Sequence, residues 1–275
     1  TPALVHNDFR NGNVMVDASG IVAVLDWEVA YIGDPMRDLG WILTHSWRFG
    51  RDDLPVGGFG EVADLFAGYE SVSGTSVDPE AVRFWQIFGS FWWAVGCLGM
   101  AEHYRNGPDK TVERPAIGRR SSECQVDCVN LLIPGSVVLE QPQTAAAAMP
   151  GMDELLTSVS DFLRDDVMAH TQGRLQFLAR VAANSLDIVK REQTLAAPCL
   201  VNEEKRLREL FSEREDSTLA LDDLRWRLVY ALRDGSMVLD SELLHAHLRA
   251  TVVNQIAIDQ PRYAGFKTAT SEANT

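Results

Sequence analysis

Two short apolar runs near the start of the chain constrain the fold more than any other feature. Val14–Val16 and Ile21–Leu25 are rich in β-branched residues, and a turn-forming D-A-S-G segment separates them. This pattern predicts a β-hairpin. If the last residue of the first run pairs with the first residue of the second, Asn13 lies opposite Val24, and Asp26 emerges at the same open end of the hairpin. The side chains of Asn13 and Asp26 are therefore expected to face one point.

Two more polar residues precede the hairpin. His6 and Asp8 come five to seven residues before Asn13, which is enough chain to fold back over the open end. Hard oxygen ligands suit Mg²⁺, which proteins usually hold with one or two carboxylates plus substrate phosphates, so Asn13 and Asp26 are the predicted metal ligands. Asp8, free of the metal, is the predicted general base, and such bases contribute about 10²–10⁴-fold. His6 is assigned to the same catalytic loop, which it would hold by hydrogen bonding rather than by proton transfer.

This segment resembles the aminoglycoside phosphotransferase and choline kinase-like enzymes, relatives of protein kinases that phosphorylate hydroxyl groups of small molecules. Their motif is H-G-D-x-x-x-x-N, followed by a strand that ends in D-x-[DE]. Here the motif stands as H-N-D at residues 6–8 with Asn13, and then as D-W-E at residues 26–28. Within the family, the segment is most similar to kinase-like domains associated with acyl-CoA metabolism, where H-x-D-F-R-x-x-N and L-D-W-E recur.

The resemblance implies an activity and a set of roles. Asp8 would be the catalytic base, and Asn13 and Asp26 would bind Mg²⁺ and, through it, the phosphates of ATP. The acceptor would be a hydroxyl group of a small molecule. One departure from the family pattern is Asn7, which stands where glycine is usual. That change affects the geometry of the loop but removes no functional group.

A kinase of this class also needs an N-terminal lobe with a phosphate-covering loop and a lysine. His6 lies five residues after the first residue of the chain, and the glycine-rich residues 57–60 precede no strand that carries such a lysine. The chain is therefore expected to be a fragment, inactive by itself, that self-associates through an uncovered apolar face. The alternative hypothesis is a non-catalytic interaction module or an inactive kinase-like remnant. A metal-dependent hydrolase that uses His6 and Asp8 as ligands is a third hypothesis, but it lacks the further histidines of such sites.

Composition excludes several other classes. The net charge of −14 disfavours nucleic acid and anionic membrane surfaces, which attract basic patches. The four cysteines show no metal-binding spacing, which fits a reducing cytoplasm. Phe84–Ala101 has no charge, but its tryptophans stand at the centre of the run, so it is predicted to be a buried core helix and not a membrane span. The apolar face of that helix is expected to comprise Phe84, Ile87, Phe88, Phe91, Val95 and Leu98.

The predicted fold class is mainly α with a small β-hairpin. Residues 1–133 would form the C-terminal lobe of a kinase-like fold. Residues 134–151, with three prolines and an alanine run, are the predicted linker, and residues 152–275 are the predicted helical bundle domain of unknown function. Five amphipathic leucine patterns predict five helices in that bundle, two of them within residues 175–211.

Overall fold

The computed structural model describes residues 2–142, 151–212 and 218–271. The fold class predicted from the sequence is confirmed, since the described residues form mostly helices and two small two-stranded sheets. No helix in these residues has the length and apolarity that are needed to cross a lipid bilayer.

The first sheet is the predicted hairpin. Strand β2 spans Val14–Asp17 and strand β3 spans Gly20–Val24. Their register shifts at a bulge after Met15, so Val14 pairs with Val24, and the Leu25 N–H donates to the Asn13 carbonyl at 2.8 Å. The predicted pairing of Asn13 with Val24 was therefore wrong by one residue, because a bulge inserts an extra residue into one strand. The shift brings Asp26 one residue closer to Asn13.

A second sheet, which the sequence did not predict, encloses the hairpin. Strand β1 spans Ala3–Val5 and pairs antiparallel with β4, which spans Tyr31–Gly33. Because one strand comes before the hairpin and the other after it, the sheet closes a loop that contains all four predicted site residues. Both ends of this loop are thereby fixed relative to each other.

Three helices follow and form the first core. Helix α1 spans Met36–Ile42, helix α2 spans Val62–Ser73 and helix α3 spans Pro79–Asn106. Helix α3 begins as the sequence predicted, since the Asp78 carboxylate accepts from the backbone N–H groups of Glu80 and Ala81. The core side chains that these helices share include Met36, Leu39, Ile42, Leu43, Val56 and Val82.

The prediction of the buried face of α3 was wrong. Phe84, Phe91, Val95 and Leu98 are each more than half exposed, whereas the opposite face is buried. Helix α1 packs closely on that opposite face through Gly40, where a Cβ atom would lie 2.7 Å from the Val82 carbonyl oxygen. Small residues permit close contact between helices, and here they outweigh the larger side chains in deciding which face is covered.

The remaining helices surround one long helix. Helix α4 spans Glu113–Arg119, α5 Ser121–Leu132, α6 Met152–Asp161, α7 Met168–His170, α8 Gly173–Leu210, α9 Leu221–Arg233, α10 Glu242–Asp259 and α11 Ala264–Thr270. The sequence predicted two helices within residues 175–211, and this was wrong, because α8 continues through Pro198 for 38 residues. Pro198 is buried, and its packing offsets the helical hydrogen bond that a proline cannot make.

Core packing also connects the two predicted domains. Val126 of α5 is fully buried against Val253 and Ile256 of α10 and Ala269 of α11. Val137 and Leu139, from the predicted linker, pack against the same cluster. Residues 143–150 of that linker lie outside the described residues. The division into residues 1–133, 134–151 and 152–275 stays a prediction.

Candidate functional site

The loop that carries the H-N-D motif is held in an unusual backbone conformation. Asn7 has a φ of 69°, in the left-handed region, where asparagine is among the few tolerated non-glycine residues. The Asp38 carboxylate accepts from the backbone N–H groups of His6 at 2.7 Å and Asn7 at 2.8 Å. Burial raises the pKa of Asp38, although these two donors favour the carboxylate. Asn7 can therefore replace the glycine that is usual in the family without changing the turn.

Arg37 fixes the same loop from α1. Its Nε donates to the Asn7 side-chain oxygen, and its guanidinium lies 5.0–5.4 Å from the ring centroids of Trp85, Phe88 and Trp92. Burial lowers the pKa of this arginine. Since a guanidinium stays charged in proteins, the aromatic rings stabilise a cation that the loop would otherwise leave in an apolar environment.

His6 is buried, with 2% of its surface exposed. Its Nδ1 accepts from the Asp8 backbone N–H at 3.2 Å, so its Nε2 carries the proton and donates to the Leu25 carbonyl at 2.8 Å. Its ring also lies 4.5 Å from that of Trp27. His6 thus links the motif loop to the end of β3, directly before Asp26.

The Asp8 carboxylate accepts three hydrogen bonds from side chains. Oδ1 accepts from Trp41 Nε1 at 2.9 Å and from Arg10 Nε at 3.1 Å, and Oδ2 accepts from Asn13 Nδ2 at 2.6 Å. An ionised carboxylate has about four acceptor positions, so these donors leave one for a further proton donor. Asp8 is thus oriented by three groups and still has an acceptor position available for a hydroxyl group.

Asn13 donates a hydrogen bond to this carboxylate, and Asp26 lines the same cavity as Asp8. Asn13 is 5% exposed, and its Nδ2 also donates to the Asp8 backbone carbonyl at 2.9 Å. Its Nδ2 is thereby occupied, so Oδ1 is the atom that can bind a cation. Asp26 is exposed and adopts a left-handed conformation with a φ of 69°. No group of three or more His, Cys, Asp or Glu side chains in the described residues has the arrangement of a metal centre. Amide and carboxylate oxygens are the kinds of donor that suit Mg²⁺, which obtains further ligands from substrate phosphates and water.

Asp8 and Asp26 border a cavity of about 450 Å³. Asp8, Arg10, Asp26 and Glu28 supply its polar side. Its remaining walls are largely aromatic and apolar, and they consist of Val29, Trp41, Trp47, Phe49, Trp92, Trp93 and Met100. From the sequence, Trp85, Trp92 and Trp93 were candidates for the lining of an acceptor pocket, with core packing expected for at least two of the three. Trp92 and Trp93 line this cavity. Asp8 therefore stands at the wall of an apolar pocket that is large enough for a small molecule.

Arg10 occupies a defined position beside the carboxylate. Its guanidinium carbon lies 4.8 Å from the centre of the Trp47 ring. Gly12 permits this placement, because a methyl group on Gly12 would overlap the Arg10 guanidinium. Arg10 and Asp8 also form an ion pair in which both side chains are about one-quarter exposed or less. The loop thus places a positive group next to the predicted base.

The glycine-rich turn at residues 57–60 is hydrogen bonded to the motif loop. The Asn11 side chain donates to the Gly57 carbonyl at 2.9 Å, and the Gly57 N–H donates to the Ile42 carbonyl. Gly58 packs against the backbone of Arg48, where a Cβ atom could not fit. The sequence interpretation of residues 57–60 as a surface loop was therefore incomplete, because this turn is packed between the motif loop and α1.

Two residues of α1 shape the site, and the sequence indicated only one of them. Trp41 donates to Asp8 from 33 positions away, and Asp38 holds the motif loop from α1. Asp38 belongs to the G-D-P…D-L pattern of residues 33–39, which predicts helix capping and loop bracing. Its two hydrogen bonds to the motif loop confirm the bracing. Nothing in the sequence indicated the role of Trp41, because its indole N–H reaches Asp8 only when α1 packs against the motif loop.

Comparison with protein families gives two matches. Residues 1–75 match the phosphotransferase enzyme family, and residues 169–263 match a domain of unknown function, DUF6285. No curated protein and no solved structure matches the chain. The resemblance predicted from the motif, with an uncharacterised domain behind it, is thereby confirmed.

Proposed function

We propose that the phosphotransferase-family segment of this chain transfers a phosphoryl group from ATP to a hydroxyl group of a small molecule. The observation that supports this most is the Asp8 carboxylate, which three side chains orient at the wall of the 450 Å³ cavity. Small-molecule kinases need an oriented base and a place for the acceptor, and this arrangement supplies both.

In this proposal Asp8 acts as the general base. The acceptor hydroxyl donates to the remaining acceptor position of Asp8, its oxygen attacks the γ-phosphorus of ATP, and its proton passes to Asp8 as the bond to ADP breaks. Trp41, Arg10 and Asn13 hold the carboxylate in place during this transfer. His6 positions the loop through two backbone contacts.

Asn13 and Asp26 would hold Mg²⁺, which would neutralise charge on the nucleotide phosphates. Asn13 would then connect the metal to the base, because its nitrogen donates to Asp8 while its oxygen is the atom suited to the cation. The connection makes Asn13 a positioning residue for Asp8 as well as a ligand.

The cavity walls favour an acceptor with an apolar body. Four tryptophans, Phe49 and Met100 surround the space next to Asp8. Such walls recognise area and shape rather than a pattern of hydrogen bonds. We therefore propose an alcohol with an aliphatic or aromatic body as the acceptor, in preference to a polyhydroxylated sugar.

The test is a transfer assay with Mg²⁺ and ATP labelled at the γ-phosphate. It should use the 275-residue chain and, where the reading frame is longer, the full product of that frame. Acceptors of matched length would be a neutral apolar alcohol, a quaternary ammonium alcohol, a hydroxy acid and an aminoglycoside. We expect labelled product from one of the first three. Product from the aminoglycoside alone would contradict the proposed acceptor class.

A second candidate function is an interaction module, and the hairpin supports it. Met15, Val16, Ile21 and Val22 are each more than half exposed. The sheet has only two strands, so both of its edges are open, and open apolar edges pair readily with a second copy. We propose self-association through this hairpin, and we expect neither nucleic acid nor a membrane as a partner because of the net charge of −14. The four free thiols are consistent with our placement of the protein in the cytoplasm.

A further inference from the structure

A second cavity, of about 440 Å³, lies away from the Asp8 pocket. Helices α4 and α5 line one side of it, and α8 and α10 line the other. It shares no lining residue with the Asp8 pocket. Three arginines reach it, and they come from α4, α8 and α9. The cavity therefore lies where the helices behind the phosphotransferase motif meet the helices of the DUF6285 segment.

Two of the three arginines are fully engaged by carboxylates. Arg119 forms ion pairs of 2.8 Å with both Glu192 and Asp259. Arg225 donates to both oxygens of Glu203, at 2.8 and 2.6 Å. Paired contacts of this kind satisfy the planar donors of a guanidinium and leave little of its charge for a ligand.

Arg206 is paired much less completely. Its nearest carboxylate oxygen, from Glu140, is 3.8 Å away, and its hydrogen bond to the Thr251 hydroxyl is 3.4 Å long. Its Nε is buried and has no hydrogen-bond partner among the described residues. The side chain as a whole is 21% exposed, and it lines the cavity.

Glu140 alone pairs the Arg206 guanidinium incompletely, because its nearest oxygen is 3.8 Å away. Burial lowers the pKa of Arg206, but a guanidinium does not lose its proton in proteins and must instead be paired. A carboxylate or phosphate is the group that fits its donors in a bidentate manner. The cavity also contains hydroxyl and amide side chains, among them Thr251 and Gln255, that could contact the rest of a polar ligand.

We propose that this cavity is a binding site for a small, polar anion, and that Arg206 holds its phosphate or carboxylate group. The ligand would contact both sides of the cavity, and so it would strengthen the packing of α8 and α10 against α4 and α5. The site is separate from the Asp8 pocket, and the inference does not depend on phosphotransferase activity.

Inorganic phosphate and succinate, titrated in separate arms against the 275-residue chain, test the proposal. The readouts are calorimetric binding and the melting temperature, with sodium chloride at equal ionic strength as the reference. We expect saturable binding and a raised melting temperature with at least one of the two anions. A response to phosphate alone identifies a phosphate ligand, and a response to succinate alone identifies a carboxylate ligand.

Substitutions at Arg206 test whether the anion binds in this cavity. Arg206→Met should abolish it, and Arg206→Lys, which keeps the charge and most of the volume, should raise the apparent Kd at least about tenfold because the bidentate contact is lost. Arg180→Met is the matched control, since Arg180 is exposed on the same helix, and it should bind like the unmodified chain. Asp8→Asn should also bind normally. Absence of any response beyond that of sodium chloride, or unchanged binding in Arg206→Lys, would overturn the proposal.

Discussion

Asn13 Nδ2 lies 2.6 Å from Asp8 Oδ2, so the predicted metal ligand and the predicted base are directly hydrogen bonded. The same nitrogen also donates to the Asp8 backbone carbonyl. An amide nitrogen that makes both contacts fixes the orientation of its own side chain, and this directs the amide oxygen away from Asp8. The two roles proposed for the motif therefore depend on one another geometrically.

The first prediction concerns Asn7. Replacing it with alanine or glycine removes the same side-chain contacts with Arg37 and Val29, so the two variants differ mainly in backbone freedom. Because Asn7 has a φ of 69°, the alanine variant should be less stable than the glycine variant by about 1–2 kcal/mol. Denaturant unfolding of both variants measures this difference. Equal stability, or a more stable alanine variant, would show that the turn is not left-handed in solution.

The two small sheets show how much of the fold the sequence could predict. The two apolar runs and the turn-forming segment between them predicted the hairpin, because local patterns determine local structure. They did not predict the bulge that shifts the register by one residue. The pairing of β1 with β4 was not predictable, since each strand has three residues and the two are separated by the whole motif loop. Such short, distant strands carry no sequence signal of their own.

The orientation of α3 shows a second limit. Its apolar residues lie on more than one face, so periodicity alone could not decide which face is buried. Gly40 and Gly89 decide it, because each permits a contact that a Cβ atom would block. The same choice of face places Trp92 and Trp93 at the Asp8 pocket, and so the acceptor site was only partly predictable.

The second prediction concerns Arg10 and Gly12. Gly12→Ala should displace the Arg10 guanidinium and so remove one of the three donors to Asp8. A hydrogen bond between charged groups contributes about 1.5–3 kcal/mol, so kcat/KM should fall roughly tenfold or more, with the affinity for Mg²⁺·ATP unchanged. Steady-state kinetics of the transfer reaction measure the change.

A double-mutant cycle checks that Gly12 acts through Arg10. The double variant Gly12→Ala/Arg10→Met should be no less active than Arg10→Met alone. If the two losses add fully, Gly12 affects the reaction by another route.

The third prediction concerns pH and the buried carboxyl of Asp127. Burial raises its pKa from 3.8 to about 8, despite the Tyr263 hydroxyl that donates to it at 2.6 Å. The folded state then keeps a proton that the unfolded state has released, so the free energy of unfolding should fall as the pH rises from about 4 to about 8. This effect can reach about 1.4 kcal/mol per pH unit.

The Asp127→Asn variant keeps the shape of the side chain and removes the group that titrates. His45, 3.8 Å from Asp127, has a pKa lowered to about 4 by burial, so its effect on stability appears only as the pH falls below its unfolded value of 6.5. Between pH 6.5 and about pH 8, the difference between the variant and the unmodified chain in denaturant unfolding therefore reports mainly on Asp127. The variant should lose less stability than the unmodified chain over this range. Parallel curves for the two proteins would mean that Asp127 is ionised in the folded state.

The fourth prediction concerns self-association through the hairpin. Ile21 is 59% exposed on β3, and Ile21→Lys should place a charge on the open apolar edge and favour the monomer. Val72→Lys is the control, because Val72 is 90% exposed on α2, outside the hairpin. Light scattering across a concentration series should show a smaller species only for Ile21→Lys. A monomeric unmodified chain would refute the proposed association.

The most direct test of the account compares three variants of the site residues in the complete gene product. Asn13→Ala and Asp26→Asn should weaken the binding of Mg²⁺·ATP, because ligands act on the bound nucleotide in the ground state and in the transition state alike. Asp8→Asn should bind Mg²⁺·ATP almost normally and lose turnover by roughly 10²-fold or more, because a base acts only as the hydroxyl loses its proton. Asp17→Asn, in the exposed turn of the hairpin, should change neither quantity. An Asp8→Asn variant that keeps its turnover within a few-fold, or that loses nucleotide affinity as much as the other two, would contradict the assignment of Asp8 as the base.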